Sequence, residues 1–175
     1  MIVLRPADAG ETLVAWKIAM ENTSTPTALI LSRQNIKSLP KENDYSLTEK
    51  GAYIVSGSDE DPDVILIANG SEVSTLVDGA HLLRKDGLKV RVVSVPSEGL
   101  FRNQSKKYQE KVIPGGKKYF GLTAGLPVNL SGLVGKEGSI WGLNSFGFSA
   151  PFAVLEEKLG FTPENVYKQV KILFS

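Results

Sequence analysis

Apolar and polar positions follow strand-like or helical spacing along nearly the whole chain. Residues 2–4 read as a short strand. Asp8 or a neighbour caps a helix running to about residue 21, with Glu11 in its first turn, where the dipole favours an anion. Leu13, Trp16, Lys17 and Met20 follow the i, i+3, i+4, i+7 rule, so one face is apolar apart from a lysine stem. "NTSTP" at 22–26 breaks the helix, and 27–32 forms the next strand. Its apolar run does not alternate, the signature of a strand buried on both faces. Strand, helix, strand is the crossover of a parallel sheet.

Residues 35–51 are polar and weakly periodic and read as a linker. The pattern then restarts: strand 52–56, a turn at 57–62, and a buried strand at 63–70. A helix capped by Ser71 runs to about residue 86, with Val73, Leu76, Val77, Ala80 and Leu83 as its apolar stripe and Gly87 as its stop. Strand 89–95, a short helix at 103–112, and strands 117–122 and 139–143 follow. Ser149 caps a helix with Pro151 in its first turn, closed by Gly160, and Thr162-Pro163-Glu164 opens the last helix. Residues 52–175 thus alternate like a complete small α/β domain, while 1–34 read as the tail of a different one. Opening on a strand at residue 2 suggests a chain that continues upstream.

Composition narrows the function classes. The net charge of +1 gives no electrostatic case for nucleic acid or membrane binding. Without cysteine there are no disulfides or thiolate metal ligands, which fits a reducing, cytoplasmic setting. No apolar run reaches the roughly 20 residues of a membrane helix.

Few positions carry candidate chemistry. Arg33 ends the run "ALILSRQN" at the carboxyl end of a strand, where open α/β sheets place their ligand crevice. It is either surface punctuation or a fork aimed at phosphate or carboxylate. Ser32 and Gln34 point elsewhere along the strand and read as structural. Gly70 followed by Ser71 at a helix start is a possible anion site, although Glu72 sits at the same positive end and would repel a phosphate. Arg5 and Asp8 read as an ion pair plus helix cap. His81, the one histidine, reads as a solvated helix residue, since no second histidine or cysteine accompanies it. Glu156, Glu157 and the lysine pairs at 106–107 and 117–118 read as solvated faces. Trp141 and Phe146 read as core.

"LRPAD" at 4–8, "TALILSRQ" at 27–34, "GSEV" at 70–73, "RVVSVPS" at 91–97 and "FGFSAP" at 146–151, in that order, resemble the carboxyl-terminal part of transketolase. The resemblance implies that 1–34 end a pyrimidine-binding domain, 35–51 link, and 52–175 form the C-terminal domain. It implies a three-layer α/β/α fold with a mostly parallel, mixed sheet. The implied activity is transfer of a two-carbon ketol unit from a ketose phosphate to an aldose phosphate, in the pentose phosphate pathway. Thiamine diphosphate and Mg2+ would serve the full enzyme and are not expected on this chain alone, which carries none of the family's catalytic or metal-binding residues. By resemblance Arg33 matches an arginine that binds the substrate phosphate. The implied partners are sugar phosphates, the N-terminal portion of the enzyme and a second copy in a dimer that this domain stabilises. The chain alone is expected to be inactive. Many transketolases have a glutamate between the glycine and serine of the last motif; Phe148 stands there and, if exposed, suggests a contact surface. Three alternatives stand: a subunit of a split transketolase, part of another thiamine-diphosphate enzyme, or a noncatalytic regulatory ligand-binding or assembly module.

Overall fold

A computed structural model describes residues 1–40, 44–57 and 61–175. Residues 58–60 of the turn expected at 57–62, and 41–43 of the 35–51 connection, lie outside the described residues.

Two sheets form. The smaller pairs β1 (Ile2–Leu4) and β2 (Thr27–Leu29) in parallel, joined by α1 (Ala9–Glu21). The larger contains β3 (Tyr53–Ser56), β4 (Val64–Ala68), β5 (Val90–Ser94), β6 (Lys118–Leu122) and β7 (Ser139–Trp141) in the order β3-β5-β4-β6-β7. Only β3 runs antiparallel to its neighbour. The mostly parallel, mixed sheet matches the fold class expected from sequence.

Central β4 explains its unalternating sequence. Val64, Leu66 and Ala68 enter one core, and Ile65 and Ile67 the other. The first core is covered by α2 (Glu72–Lys85) and α7 (Pro163–Ile172), through Val73, Leu76, Ala80, Leu83, Val166 and Val170. These two helices approach closely because Gly79 leaves room: a Cβ there would lie 2.7 Å from Val166 Cγ1. The second core is covered by α3 (Glu98–Arg102), α4 (Lys106–Val112) and α5 (Val128–Val134), through Phe101, Val112, Leu130 and Val134. Each fully buried aliphatic side chain contributes about 1.5–3 kcal/mol. The last helix before α7 is α6 (Phe152–Leu159), ended by Gly160 at φ 74°, as expected for a left-handed stop. Thr162 Oγ1 accepts from Asn165 N–H and Pro163 takes the first position of α7, as the sequence indicates.

Several local expectations change. β2 ends at Leu29, and Ile30 and Leu31 are about half exposed, so the apolar run is not buried on both faces among the described residues. The expected stripe of α1 faces outward: Leu13 is 74% and Met20 80% exposed, and Trp16 is half exposed. The buried residues of α1 are Glu11 and Ala15, because its inner face meets a polar cluster described below. Ser149 caps nothing; α6 starts three residues later with Pro151 at its cap position. Ser71 makes no side-chain cap, since its backbone is already helical and its hydroxyl donates to Glu72. Phe146 is 98% exposed rather than core, whereas Trp141 packs on the first core and donates through Nε1 to Leu159 O. Phe148 is half exposed, with Lys158 Nζ 4.2 Å from its ring centre. Within 35–51 a 3-10 helix, Tyr45–Lys50, forms and Leu39 is buried. The polar composition there masks both.

Candidate functional site

Arg33 lies four residues beyond the end of β2, exposed, and makes no hydrogen bond or ion pair with any described residue. A guanidinium held free presents its planar donors to an incoming oxyanion. Its neighbours do more than the sequence suggests. Ser32 and Gln34 line a cavity of about 310 Å³ together with Arg5, Ser71, Glu72 and Glu156. Burial pushes the Glu156 carboxyl above its ordinary range, so this residue is not a purely solvated one.

Arg5 does not pair with Asp8. Its guanidinium reaches across to the larger sheet, where Nη2 donates to Glu72 Oε1 at 3.0 Å and Nη1 to Glu72 Oε2, Asn69 O (2.8 Å) and Asn69 Oδ1 (2.6 Å). The main chain follows the same route: Arg5 N–H donates to Pro96 O, and Gly70 N–H to Arg5 O. Gly70 has φ +63°, and a Cβ there would meet Arg5 Cζ at 2.7 Å. At the anion site raised for Gly70 and Ser71, a carboxylate and its guanidinium partner already sit beside the turn.

Asp8 is nearly fully buried and serves three donors. Oδ1 accepts from Glu11 N–H at 3.0 Å, the cap the sequence indicates, while Oδ2 accepts from Leu39 N–H (2.9 Å) and Tyr45 OH (2.7 Å). Burial, and then the Asp8 hydrogen bond, push the Tyr45 hydroxyl up to about 12. Glu11 is fully buried. Its Oε1 accepts from Tyr53 OH (2.8 Å) and Ser94 Oγ (2.6 Å), and its Oε2 from Ala7 N–H (2.7 Å). None of the groups that donate to Glu11 among the described residues is a cation. Burial therefore raises its carboxyl above the ordinary range, against the pull of those hydrogen bonds. The Tyr53 hydroxyl is raised too, first by its own burial and then by the Glu11 charge. Sequence reasoning missed this cluster. Its one signal was Ser94, a lone hydroxyl in the buried run "VRVVSV".

A second, wider cavity of about 720 Å³ opens at the carboxyl ends of β4, β5 and β6, with Arg5 in its wall as well. His81 is exposed on α2, as expected. Lys106 and Lys107 are exposed, while Lys117 pairs with Asp61 at 2.5 Å. Among the described residues no three His, Asp or Glu side chains group to hold a metal, and no helix is long and apolar enough to cross a membrane.

Comparison with known proteins adds a lineage to this geometry. Residues 51–162 match the profile of the transketolase-like TK C-terminal domain. A transketolase of Staphylococcus aureus (strain MW2) is 45% identical over 176 aligned residues, covering 99% of this chain and 27% of that protein. The chain thus spans about a quarter of the length of the curated relatives it matches. Transketolase from Leishmania mexicana superposes with a TM-score of 0.91 at 36% identity, covering 98% of this chain and 25% of that one. A Pichia stipitis transketolase in complex with sedoheptulose 7-phosphate gives 0.90 at 35% identity, with the same coverage. With that profile matched over most of its length, the chain belongs to the transketolase-like C-terminal domain family.

Proposed function

We propose that the chain serves a transketolase, moving a two-carbon ketol unit between sugar phosphates, and that Arg33 grips the substrate phosphate. The observation that carries this is the Arg33 guanidinium, exposed and unpaired among the described residues on a chain that matches transketolases along nearly its whole length. The other four arginines are engaged: Arg5 with Glu72, Arg84 with Ser56 and Val90, Arg91 with the carbonyls of Lys111 and Val112, and Arg102 with Glu98. A phosphate held at a distance from the reacting carbon fixes the sugar's orientation, and that fixed geometry lowers the barrier. A charge-assisted contact of this kind contributes about 1.5–3 kcal/mol, or roughly a factor of 10 to 150 in affinity.

Thiamine diphosphate with Mg2+ would supply the carbanion chemistry in the complete enzyme. The residues here do not fit the metal, since no described trio of metal-ligating side chains exists. The proposed share of this chain is substrate anchoring and assembly with the N-terminal portion in a dimer. Alone, it is expected not to turn over.

The test is an assay with xylulose 5-phosphate and ribose 5-phosphate in the presence of thiamine diphosphate and Mg2+. Turnover should appear only when the N-terminal portion is joined to or co-purified with this chain. In the assembled enzyme, Arg33→Ala should raise KM for phosphorylated sugars roughly 10- to 150-fold and leave unphosphorylated substrates nearly unchanged. Turnover by this chain alone, or an equal loss for both substrate kinds, would overturn the reading.

A further inference from the structure

The Arg33 guanidinium has no partner among the described residues, so the main chain that carries it decides where it stands. From Leu31 to Ser38 that main chain makes no backbone–backbone hydrogen bond with a described residue. Ser32 Oγ donates to Gln34 O at 3.4 Å within the segment, and Lys37 Nζ meets both Asp78 carboxylate oxygens at 2.8 Å. The lysine pair is exposed, where such pairs contribute little. The segment is an arch held at its two feet.

The first foot is Ile30, whose N–H donates to Leu4 O at 2.8 Å. The second is Leu39, buried in the first core, whose N–H donates to Asp8 Oδ2 at 2.9 Å. Both feet therefore stand on residues 4–8. That footing is firm. Leu4, Pro6, Ala7 and Asp8 are buried, and Arg5 is tied to the larger sheet through Pro96 O, Gly70 N–H and Glu72. Within the footing, Asp8 alone serves the arch through its side chain, and its carboxylate makes a charge-assisted bond.

We propose that Asp8 is a positioning residue for Arg33: by holding Leu39 it fixes the arch, so that the guanidinium already stands where the substrate phosphate arrives. This rests on the phosphate-binding reading of Arg33. The effect is one of population. With one foot loose the arch samples more conformations, a fraction of which place Arg33, and the apparent affinity for a phosphorylated sugar falls by that fraction. A sugar without phosphate does not use the guanidinium and does not feel the loss. Asparagine is the discriminating replacement. It caps a helix as well as aspartate does, so its Oδ1 can keep the bond from Glu11 N–H while its Nδ2 meets Leu39 N–H donor to donor.

The test is a kinetic cycle in the assembled enzyme with Asp8→Asn, Arg33→Ala and the double variant. The substrates are xylulose 5-phosphate with ribose 5-phosphate, and xylulose with ribose. Asp8→Asn should raise KM for the phosphorylated sugars roughly two- to tenfold, with kcat and the unphosphorylated reaction little changed. In the Arg33→Ala background it should add nothing, since no guanidinium is left to place. If Asp8→Asn fails to assemble, Asn35→Gly combined with Ser38→Gly loosens the same arch without touching its feet and should raise the same KM selectively. Suppose Arg33→Ala discriminates by phosphate, but Asp8→Asn leaves KM unchanged, raises it equally for both substrate kinds, or multiplies with Arg33→Ala. The positioning role then falls while the phosphate reading stands. If Arg33→Ala itself does not discriminate, both fall.

Discussion

Arg5 and Glu72 meet across the junction of the two sheets, both guanidinium Nη groups against both carboxylate oxygens. Glu72 is almost fully buried, while the Arg5 side chain keeps a quarter of its surface. Removing one partner of a fully buried pair costs about 3–5 kcal/mol, because the other charge is left stranded. With part of Arg5 in solvent, Glu72→Ala should cost about 2–4 kcal/mol, measured as a shift of the urea midpoint at unchanged slope.

Gly70 should not tolerate a side chain. Its φ of +63° penalises any L residue, and the added Cβ would press on the Arg5 guanidinium. Gly70→Ala should destabilise by about 1–3 kcal/mol, and less in an Arg5→Ala background, because part of the clash is then gone.

Glu11 gives the fold a pH dependence of defined sign. Its carboxyl titrates higher in the folded chain than its ordinary value of 4.5, so the fold favours the neutral form. That contribution is complete below the ordinary carboxylate range and falls away as pH rises through the raised value. Glu11→Gln should flatten this decline, since the hydroxyls of Tyr53 and Ser94 can turn to accept from the amide. Glu11→Leu should cost several kcal/mol, at about 1–3 for each orphaned donor. Denaturant titrations at a series of pH values separate the two variants.

Asp8 holds the far end of the segment that carries Arg33, through Leu39 N–H and Tyr45 OH. An asparagine cannot satisfy all three donors at once. Asp8→Asn should cost about 1–2 kcal/mol and speed hydrogen exchange at the Leu39 amide more than at β4.

Leu13 and Met20 present their apolar surface to solvent, so Leu13→Ser and Met20→Ser should each change the stability of this chain by less than about 0.5 kcal/mol. A larger loss by thermal denaturation would mean that the outer face of α1 is packed in solution.

Period and punctuation made the larger sheet and its covering helices legible. The β4 run, the α2 stripe and the Thr162-Pro163 start all lie where the spacing puts them. Three short elements were not, namely Tyr45–Lys50, α3 and α5, because five to seven residues scarcely complete a helical period. The outward face of α1 was illegible for another reason: periodicity shows that a face is apolar, not what lies against it. Arg33 stood out as a charge ending an apolar run. Glu11 did not, because its partners Tyr53 and Ser94 lie 42 and 83 residues away. Only the fold brings such donors to one carboxylate.

Two paired strands of three residues each hardly persist in water by themselves. Here the first runs straight into the guanidinium clasp at Glu72, and the helix behind it plants a carboxylate under Tyr53 and Ser94. The small sheet should therefore melt together with the large one, and slow exchange of the Leu4 and Ile30 amides would report the integrity of a core assembled from residues far downstream.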